Sequence, residues 1–138
     1  MLQKPDHNLL RNNRVREIRI LVLDDDQFIR KVLEGIFREK YQFLAVPTIA
    51  EFSQVVKNFD PDIVLVDVVL PDGNGIDVCR QLRDQTKYEQ LFILMMTSFE
   101  DIGSIEAAYR AGANDYIRKP FIPFEIASKI HHISRTIT

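Results

Sequence analysis

The chain has 138 residues, of which 46% are apolar and 28% are charged, and its formal net charge is −2. This length suffices for one domain with a buried core, and so small a net charge excludes nucleic-acid or membrane binding driven by overall charge. The single cysteine, the absence of an apolar run near the roughly 20 residues that span a bilayer, and an N-terminus without a secretory signal pattern together predict a cytoplasmic protein without disulfides.

Residues 1–16 are polar and carry scattered cations at Lys4, Arg11, Arg14 and Arg16. They show no long hydrophobic periodicity, so we expect a solvated N-terminal extension. A basic arm that binds nucleic acid is the weaker alternative, because four scattered cations do not form a compact patch.

Strand and helix patterns alternate from residue 18 onward. Short apolar runs predict strands at 18–23, 43–46, 62–70, 91–97 and 115–117, and apolar residues spaced by three and four predict helices at 28–40, 49–59, 76–85, 101–112 and 124–137. The run DIVLVDVVL lacks alternation, which is typical of a parallel strand covered on both faces. Gly112 is predicted to end the fourth helix. The pattern therefore predicts an α/β sheet between layers of helices.

Polar residues stand where the predicted strands end. Asp24 and Asp25 follow the first strand, Asp67 comes late in the third, Thr97 ends the fourth and Lys119 follows the fifth. In such sheets, ligands bind beyond the carboxyl ends of the strands, near the point where strand order reverses. If the first and third strands are neighbours, about 4.8 Å apart, three carboxylates share one edge of the sheet.

These carboxylates need a compensating cation, because two unit charges 4 Å apart repel by about 4 kcal/mol at an effective dielectric near 20. Lys119 could supply one positive charge. A bound divalent cation is a second possible source of positive charge, and ligation by oxygen atoms alone favours Mg²⁺ or Mn²⁺ over Zn²⁺. The structural alternative is that aspartates after strands cap helices, which we expect for Asp26 in particular.

Four segments of the sequence, VLDDD, DIVLVDVVLPDGNG, ILMMTS and AGANDYIRKPF, resemble the receiver domain of two-component response regulators. The resemblance extends from about Ile18 to Ser134. It implies a flavodoxin-like, CheY-like fold, with a doubly wound five-stranded parallel sheet in strand order 2-1-3-4-5 and five helices. It also implies that residues 17–138 form the receiver domain.

The resemblance implies a role for each residue at the strand ends. Asp67 would be the phosphoacceptor, which takes a phosphoryl group from the phosphohistidine of a sensor kinase. Asp24, Asp25 and Asp67, with the backbone carbonyl of Val69, would bind Mg²⁺ or Mn²⁺. Lys119 would pair with the acceptor and then with the phosphoryl oxygens.

The same resemblance implies a switch. Thr97 would donate a hydrogen bond to the phosphoryl group, and the ring of Tyr116 would respond by changing rotamer. The peptide bond between Lys119 and Pro120 would be cis. The reporting surface would be the fourth helix, fifth strand and fifth helix, with candidate residues Ile105, Tyr109, Arg118 and Lys129.

The implied partners are a sensor histidine kinase or phosphotransfer protein and a downstream protein target or output domain. A phosphorylation-dependent homodimer is a further expectation, whereas direct binding of nucleic acid or membrane is not expected. Two alternatives stay open for the whole chain: a stand-alone regulator, or part of a longer regulator, signalling enzyme or hybrid kinase.

Two rival functions are weaker. A phosphatase of the haloacid-dehalogenase type also uses an aspartate nucleophile with Mg²⁺, but it needs a second aspartate two residues later, where this chain has Val69. A receiver that docks without taking phosphate is disfavoured because Asp67, Thr97 and Lys119 are all present. We therefore expect a regulator rather than an enzyme.

Other reactive residue types have structural interpretations. Cys79 is predicted to be a small buried residue, and Met95 and Met96 belong to an apolar strand. His131 and His132 are adjacent on the last helix and lack the spacing of metal ligands.

Overall fold

The computed structural model describes residues 17–98 and 102–137, so the predicted extension at residues 1–16 lies outside the described residues. Within the described part, the strands of the main sheet are β1 (Arg19–Leu23), β2 (Gln42–Val46), β3 (Ile63–Asp67), β4 (Phe92–Ser98) and β5 (Asp115–Lys119). The helices are α1 (Gln27–Phe37), α2 (Ile49–Phe59), α3 (Gly75–Arg83), α4 (Ile102–Ala111) and α5 (Pro123–Ile137). A short 3-10 helix, Thr86–Tyr88, follows α3.

The sheet has the strand order β2-β1-β3-β4-β5, and every neighbouring pair is parallel. The predicted order is therefore confirmed, as is the adjacency of the first and third strands. The chain moves outward from β1 to β2 and then returns to β3 on the other side of β1. Strand order thus reverses between β1 and β3, which is where ligands bind in open sheets of this kind.

Two hydrophobic cores cover the two faces of the sheet. Leu21 and Leu23 of β1 pack into one core with residues of α2, α3 and α4. Ile20 and Val22 of the same strand pack into the other core with residues of α1 and α5. Because successive side chains of a strand point to opposite faces, both sets must be apolar. This explains the continuous apolar runs of the sequence.

Side-chain caps fix the helix starts at the carboxyl edge of the sheet. Asp26 caps α1 as predicted, because its Oδ1 accepts a hydrogen bond from the backbone N–H of Phe28 at 2.9 Å. Asp72, in the turn after β3, accepts from the backbone N–H groups of Ile49 at 2.9 Å and Ala50 at 3.0 Å. The hydrogen bond from Ile49 lowers the pKa of Asp72. The turn after β3 is therefore tied to the start of α2.

Most element bounds differ by one to three residues from the sequence prediction, and the differences in the third, fourth and fifth strands bear on the site. The third apolar run does not form one strand, because β3 ends at Asp67 and Val69–Leu70 pairs antiparallel with Gly73–Asn74. The turn at 71–72 folds the chain back at this point. Strand β4 continues one residue beyond Thr97, and β5 continues to Lys119, which is its last residue rather than the residue after it.

Other local predictions are confirmed. Gly112 follows α4 with a φ of 109°, a conformation that disfavours side chains with a Cβ. Cys79 is fully buried, burial raises the pKa of its thiol, and Met95 and Met96 lie in the two cores. Among the described residues, no helix is both long and apolar enough to cross a membrane.

Gly75 provides a test of the packing between α3 and the end of β3. A Cβ at this position would overlap the backbone carbonyl oxygen of Asp67 and lie 2.8 Å from Cγ1 of Val66. We expect Gly75→Ala to lower the free energy of unfolding by about 1–3 kcal/mol, the usual cost of overpacking. Denaturant unfolding followed by circular dichroism measures the change.

The matched control is Gly35→Ala on α1, where a Cβ would meet nothing within 4 Å. We expect this variant to be more stable than the wild type by about 0.5–1 kcal/mol, because alanine favours a helix interior over glycine. Equal stability of the two variants would contradict the close approach of α3 to β3.

Candidate functional site

A buried lysine–carboxylate cluster occupies the carboxyl edge of the sheet. Asp24 follows β1 and is 0% exposed, whereas Asp67 at the end of β3 is 9% exposed. The Nζ of Lys119, at the end of β5, donates hydrogen bonds to Oδ2 of Asp24 at 2.6 Å and to Oδ2 of Asp67 at 3.1 Å. One ammonium group therefore connects the ends of three strands.

A third carboxylate, Asp25, completes an acidic group. Carboxylate oxygens of Asp24, Asp25 and Asp67 all lie within 4.8 Å of one another. Asp25 is exposed, so the group is open to solvent on its side. The ligand atoms are oxygens alone, which suits a hard divalent cation such as Mg²⁺ or Mn²⁺. The described residues thus fit the predicted metal site.

The charges of the cluster are unbalanced. Burial raises the pKa of Asp67, and the neighbouring Asp24 carboxylate raises it further, although Lys119 opposes both effects. Burial alone would lower the pKa of Lys119, but the hydrogen bond and charge of Asp24, together with Asp67, raise it. The ammonium group is therefore held in its charged form. A single lysine facing three carboxylates leaves the cluster net negative, which favours cation binding.

The turn after Asp67 places backbone groups beside its carboxylate. The N–H of Val69 points to Oδ1 of Asp67 at 3.4 Å, and Val69 is 69% exposed. The N–H of Gly75 donates to the carbonyl oxygen of Val68 at 2.8 Å, which holds the turn against the start of α3. Metal ligation by the Val69 carbonyl stays a prediction.

Among the described residues, the two predicted switch residues make no hydrogen bond to the lysine–carboxylate cluster. Thr97 is 1% exposed, and its hydroxyl donates to the carbonyl oxygen of Ser98 at 3.4 Å. Among the hydrogen bonds of the described residues, none joins Thr97 to Asp67. The ring of Tyr116 packs edge-on against the ring of Tyr109, with 5.9 Å between centroids. The structure therefore does not bring Thr97 and Tyr116 into the polar network around Asp67.

The peptide bond between Lys119 and Pro120 is cis, the isomer that the resemblance implies. The reporting surface proposed from the sequence contains an ion pair between Lys129 and Asp115, at 2.8 Å. Asp115 also accepts from the hydroxyl of Tyr109 at 3.5 Å. Asp115 therefore connects α4, β5 and α5.

Sequence reasoning missed two residues that contact functional elements, Asp115 and Arg30. The Nη1 of Arg30 donates to the carbonyl oxygen of Asp24 at 2.9 Å. The position of Arg30, one turn after the N-cap of α1, was the available signal, because helical side chains lean toward the helix N-terminus.

The sequence matches one protein family model and is similar to known regulatory proteins. Residues 20–131 match the family model described as the response regulator receiver domain. The transcriptional regulatory protein GltR of Pseudomonas aeruginosa is 34% identical over 117 residues, which cover 84% of this chain and 48% of that protein. The DNA-binding response regulator MtrA of Mycobacterium tuberculosis is 36% identical over 113 residues, which cover 81% of this chain and 48% of that protein. The chain thus spans about half the length of these relatives.

Solved structures agree with the fold. A CheY-like response regulator receiver domain protein from Methanospirillum hungatei has a TM-score of 0.80 at 26% identity, over 87% of this chain and 95% of that chain. The BeF3-activated N-terminal receiver domain of Klebsiella pneumoniae RstA has a TM-score of 0.76 at 25% identity, over 85% of this chain and 98% of that chain.

The raised pKa of Asp67 predicts a pH-dependent stability difference. Ionising Asp67 costs more in the folded state than in the unfolded state, so this carboxylate destabilises the fold increasingly as the pH rises above its ordinary pKa of 3.8, and fully once the pH exceeds the raised folded pKa. We expect Asp67→Asn to unfold at higher denaturant than the wild type at pH 7 without divalent cations. The gain should be modest, because Lys119 keeps Asp24 as its ion-pair partner when the Asp67 charge is removed.

The gain should shrink as the pH falls through the raised pKa of Asp67 and vanish below the ordinary value of 3.8. Denaturant unfolding at several pH values between 7 and 4 measures it. Asp84→Asn, at the exposed end of α3, is the control and should change stability by less than about 0.5 kcal/mol. A gain for Asp67→Asn that grows toward low pH would contradict this electrostatic account.

Proposed function

The chain belongs to the response regulator receiver domain family, and we propose on this premise that Asp67 accepts a phosphoryl group in a two-component system. This is a family of signalling proteins rather than of classical enzymes. The observation that supports the proposal best is the cluster itself, in which Lys119 bridges Asp24 and Asp67 while Asp25 completes the acidic group.

In the proposed reaction, an Oδ atom of Asp67 attacks the phosphorus of a phosphohistidine on a sensor kinase or phosphotransfer protein. The new bond joins this oxygen to phosphorus, the phosphorus–nitrogen bond breaks, and its electron pair remains on the histidine. The positive charge of Lys119, 3.1 Å from Oδ2 of Asp67, offsets part of the negative charge at the acceptor.

Asp24, Asp25 and Asp67 would hold Mg²⁺ or Mn²⁺, with the Val69 carbonyl as a further ligand, and the bound ion would neutralise phosphoryl oxygens. The N–H of Val69 is a further donor beside the acceptor. Because phosphoryl transfer depends on positioning and charge stabilisation, these groups suffice without a separate general base.

The switch that we propose follows from the new charge on Asp67. A phosphoryl group adds three strong hydrogen-bond acceptors, and the long 3.4 Å bond of Thr97 to the Ser98 carbonyl leaves its hydroxyl free to exchange partners. In the β4–β5 ladder, Thr97 pairs with Arg118, and Met95, two residues before Thr97, pairs with Tyr116. A movement of β4 at Thr97 would therefore be passed to β5 near Tyr116. It would bias the surface formed by α4, β5 and α5.

The proposed phosphoryl transfer to Asp67 implies a phosphoryl donor and a downstream partner. A sensor histidine kinase or phosphotransfer protein would supply the phosphoryl group. The names of MtrA and GltR describe DNA-binding and transcriptional regulation, so we propose a transcriptional output, reached through a downstream partner or a further domain. A phosphorylation-dependent homodimer and a cytoplasmic location stay predictions.

Phosphorylation is directly testable. Incubation of the chain with acetyl phosphate and Mg²⁺ should add the mass of one phosphoryl group, as measured by intact-protein mass spectrometry. Asp67→Asn should abolish the gain because the nucleophilic oxygen is lost, and chelation of divalent ions should also prevent it. Asp84→Asn, the same chemical change at an exposed carboxylate outside the cluster, should retain it.

An unchanged mass of the wild-type chain under these conditions would favour the alternative, a receiver that acts only as a docking domain. A mass gain that persists in Asp67→Asn would show that another residue accepts the phosphoryl group. Either result would contradict the assignment of Asp67.

Val69 predicts a long-lived phosphorylated state. Its exposed side chain is apolar and lies two residues after the acceptor, so it can neither hold nor activate a hydrolytic water. We expect the phosphorylated protein to persist well beyond seconds after removal of the phosphodonor. The measurement is a mass-spectrometric time course, with Val69→Asn expected to lose the phosphoryl group faster. Decay of the wild-type protein within a few seconds would contradict this prediction.

A further inference from the structure

We infer that Arg30 is a positioning residue for the metal site, because it holds the peptide unit that joins Asp24 to Asp25. The inference rests on the proposed function in that the cluster must bind a divalent cation. Arg30 would touch neither the cation nor the phosphoryl group and would act only through the backbone.

The contact comes from the geometry of α1. Arg30 lies in the second turn of this helix, where its half-buried side chain reaches back past the N-cap. Its Nη1 donates to the carbonyl oxygen of Asp24 at 2.9 Å. This carbonyl belongs to the peptide unit between Asp24 and Asp25. The guanidinium group therefore fixes the orientation of the backbone immediately before Asp25.

The position of the Asp25 carboxylate depends on the backbone more than the position of the Asp24 carboxylate does. The Asp24 carboxylate is held on both oxygens, by the N–H of Asp26 at 2.9 Å and by Lys119 at 2.6 Å. In contrast, the exposed Asp25 carboxylate accepts no hydrogen bond among the described residues. Its place in the acidic group is thus set by the peptide units on either side of it.

Apart from the bond between the N–H of Asp26 and Oδ1 of Asp24, the other bonds hold this loop at its two ends. The N–H of Asp24 donates to the carbonyl oxygen of Val46 at 3.1 Å, which continues the β1–β2 ladder. Asp26 is held as the N-cap of α1. Between these points, Arg30 is the one side chain among the described residues that bonds to the backbone of 24–25.

Charge and geometry predict opposite effects of Arg30 on cation binding. A guanidinium group near the acidic group repels a divalent cation, so its removal should strengthen binding if charge alone matters. If Arg30 positions Asp25, its removal should weaken binding instead, as loss of a partner that orients a metal ligand commonly does. The sign of the change therefore separates the two roles.

The experiment compares Arg30→Met with Lys31→Met. Both substitutions remove one positive charge and keep an unbranched apolar stem, but Lys31 is the adjacent, exposed residue of α1. The chain has no tryptophan, so Mg²⁺ binding is followed by NMR titration of backbone amides or by calorimetry. We expect the dissociation constant of Arg30→Met to rise about tenfold, and that of Lys31→Met to stay within about twofold or fall slightly.

A second readout needs no metal. Amide hydrogen exchange at Asp25 and Asp26 in the metal-free protein should accelerate in Arg30→Met and remain unchanged in Lys31→Met. Denaturant unfolding of both variants shows whether the fold is retained, and Arg30→Lys keeps the charge if the methionine variant fails to fold. Arg30→Lys should also weaken Mg²⁺ binding, because a lysine ammonium group lacks the reach and fork of guanidinium.

The possible failures are distinguishable. If the wild-type chain takes up no Mg²⁺ at millimolar concentrations, both the metal site and this inference are wrong. If the wild type binds Mg²⁺ but Arg30→Met binds it equally or more tightly, only the positioning role of Arg30 is wrong, and the proposed phosphoacceptor function is unaffected.

Discussion

The contact of one lysine with two buried carboxylates is the interaction on which the arrangement of this protein depends. Asp24 and Asp67 follow neighbouring strands, and their charges would repel strongly in a poorly solvated edge of the sheet. The Nζ of Lys119 lies 2.6 Å from one and 3.1 Å from the other. Lys119 is the last residue of an edge strand, and Asp24 follows a strand three places away in the sheet. The ion cluster therefore depends on the strand order that brings these strand ends to one edge.

The cluster also shows how stability and chemistry oppose each other in this domain. The pKa of Asp67 is raised by burial and by Asp24 despite the nearby lysine, so the ionised form of this carboxyl group is held at a cost to folding. Such perturbed groups concentrate at functional sites. Addition of a divalent cation to the three carboxylates would relieve the same repulsion. The feature that weakens the isolated fold is thus the one that would suit the proposed metal ion and phosphoryl group.

The pleat of the sheet divides the functional residues between two faces. Alternate residues of a strand share one face of the sheet. Asp67 shares its face with Ile63 and Leu65, and Lys119 shares its face with Ile117, and these apolar residues pack into the core beside α1 and α5. Thr97 follows Ile93 and Met95 in the alternation that faces the other core, where Tyr116 also packs. The proposed chemistry and the proposed response therefore lie on opposite sides of the sheet and meet at its carboxyl edge, so a signal from Asp67 would pass through the end of β4.

Sequence by itself determined the periodic elements and the positions of polar residues at the strand ends, because both depend on neighbouring residues along the chain. Helix α2 was predicted at its observed bounds, and the continuous apolar runs indicated a sheet covered on both faces. Only the tertiary structure decided that Lys119 reaches Asp24, 95 residues away, that the third apolar run breaks after Asp67, and that Arg30 holds the Asp24 carbonyl while Thr97 remains outside the cluster. These contacts depend on strand order, register and helix packing, and no local pattern of side chains encodes the distance between residues so far apart in sequence.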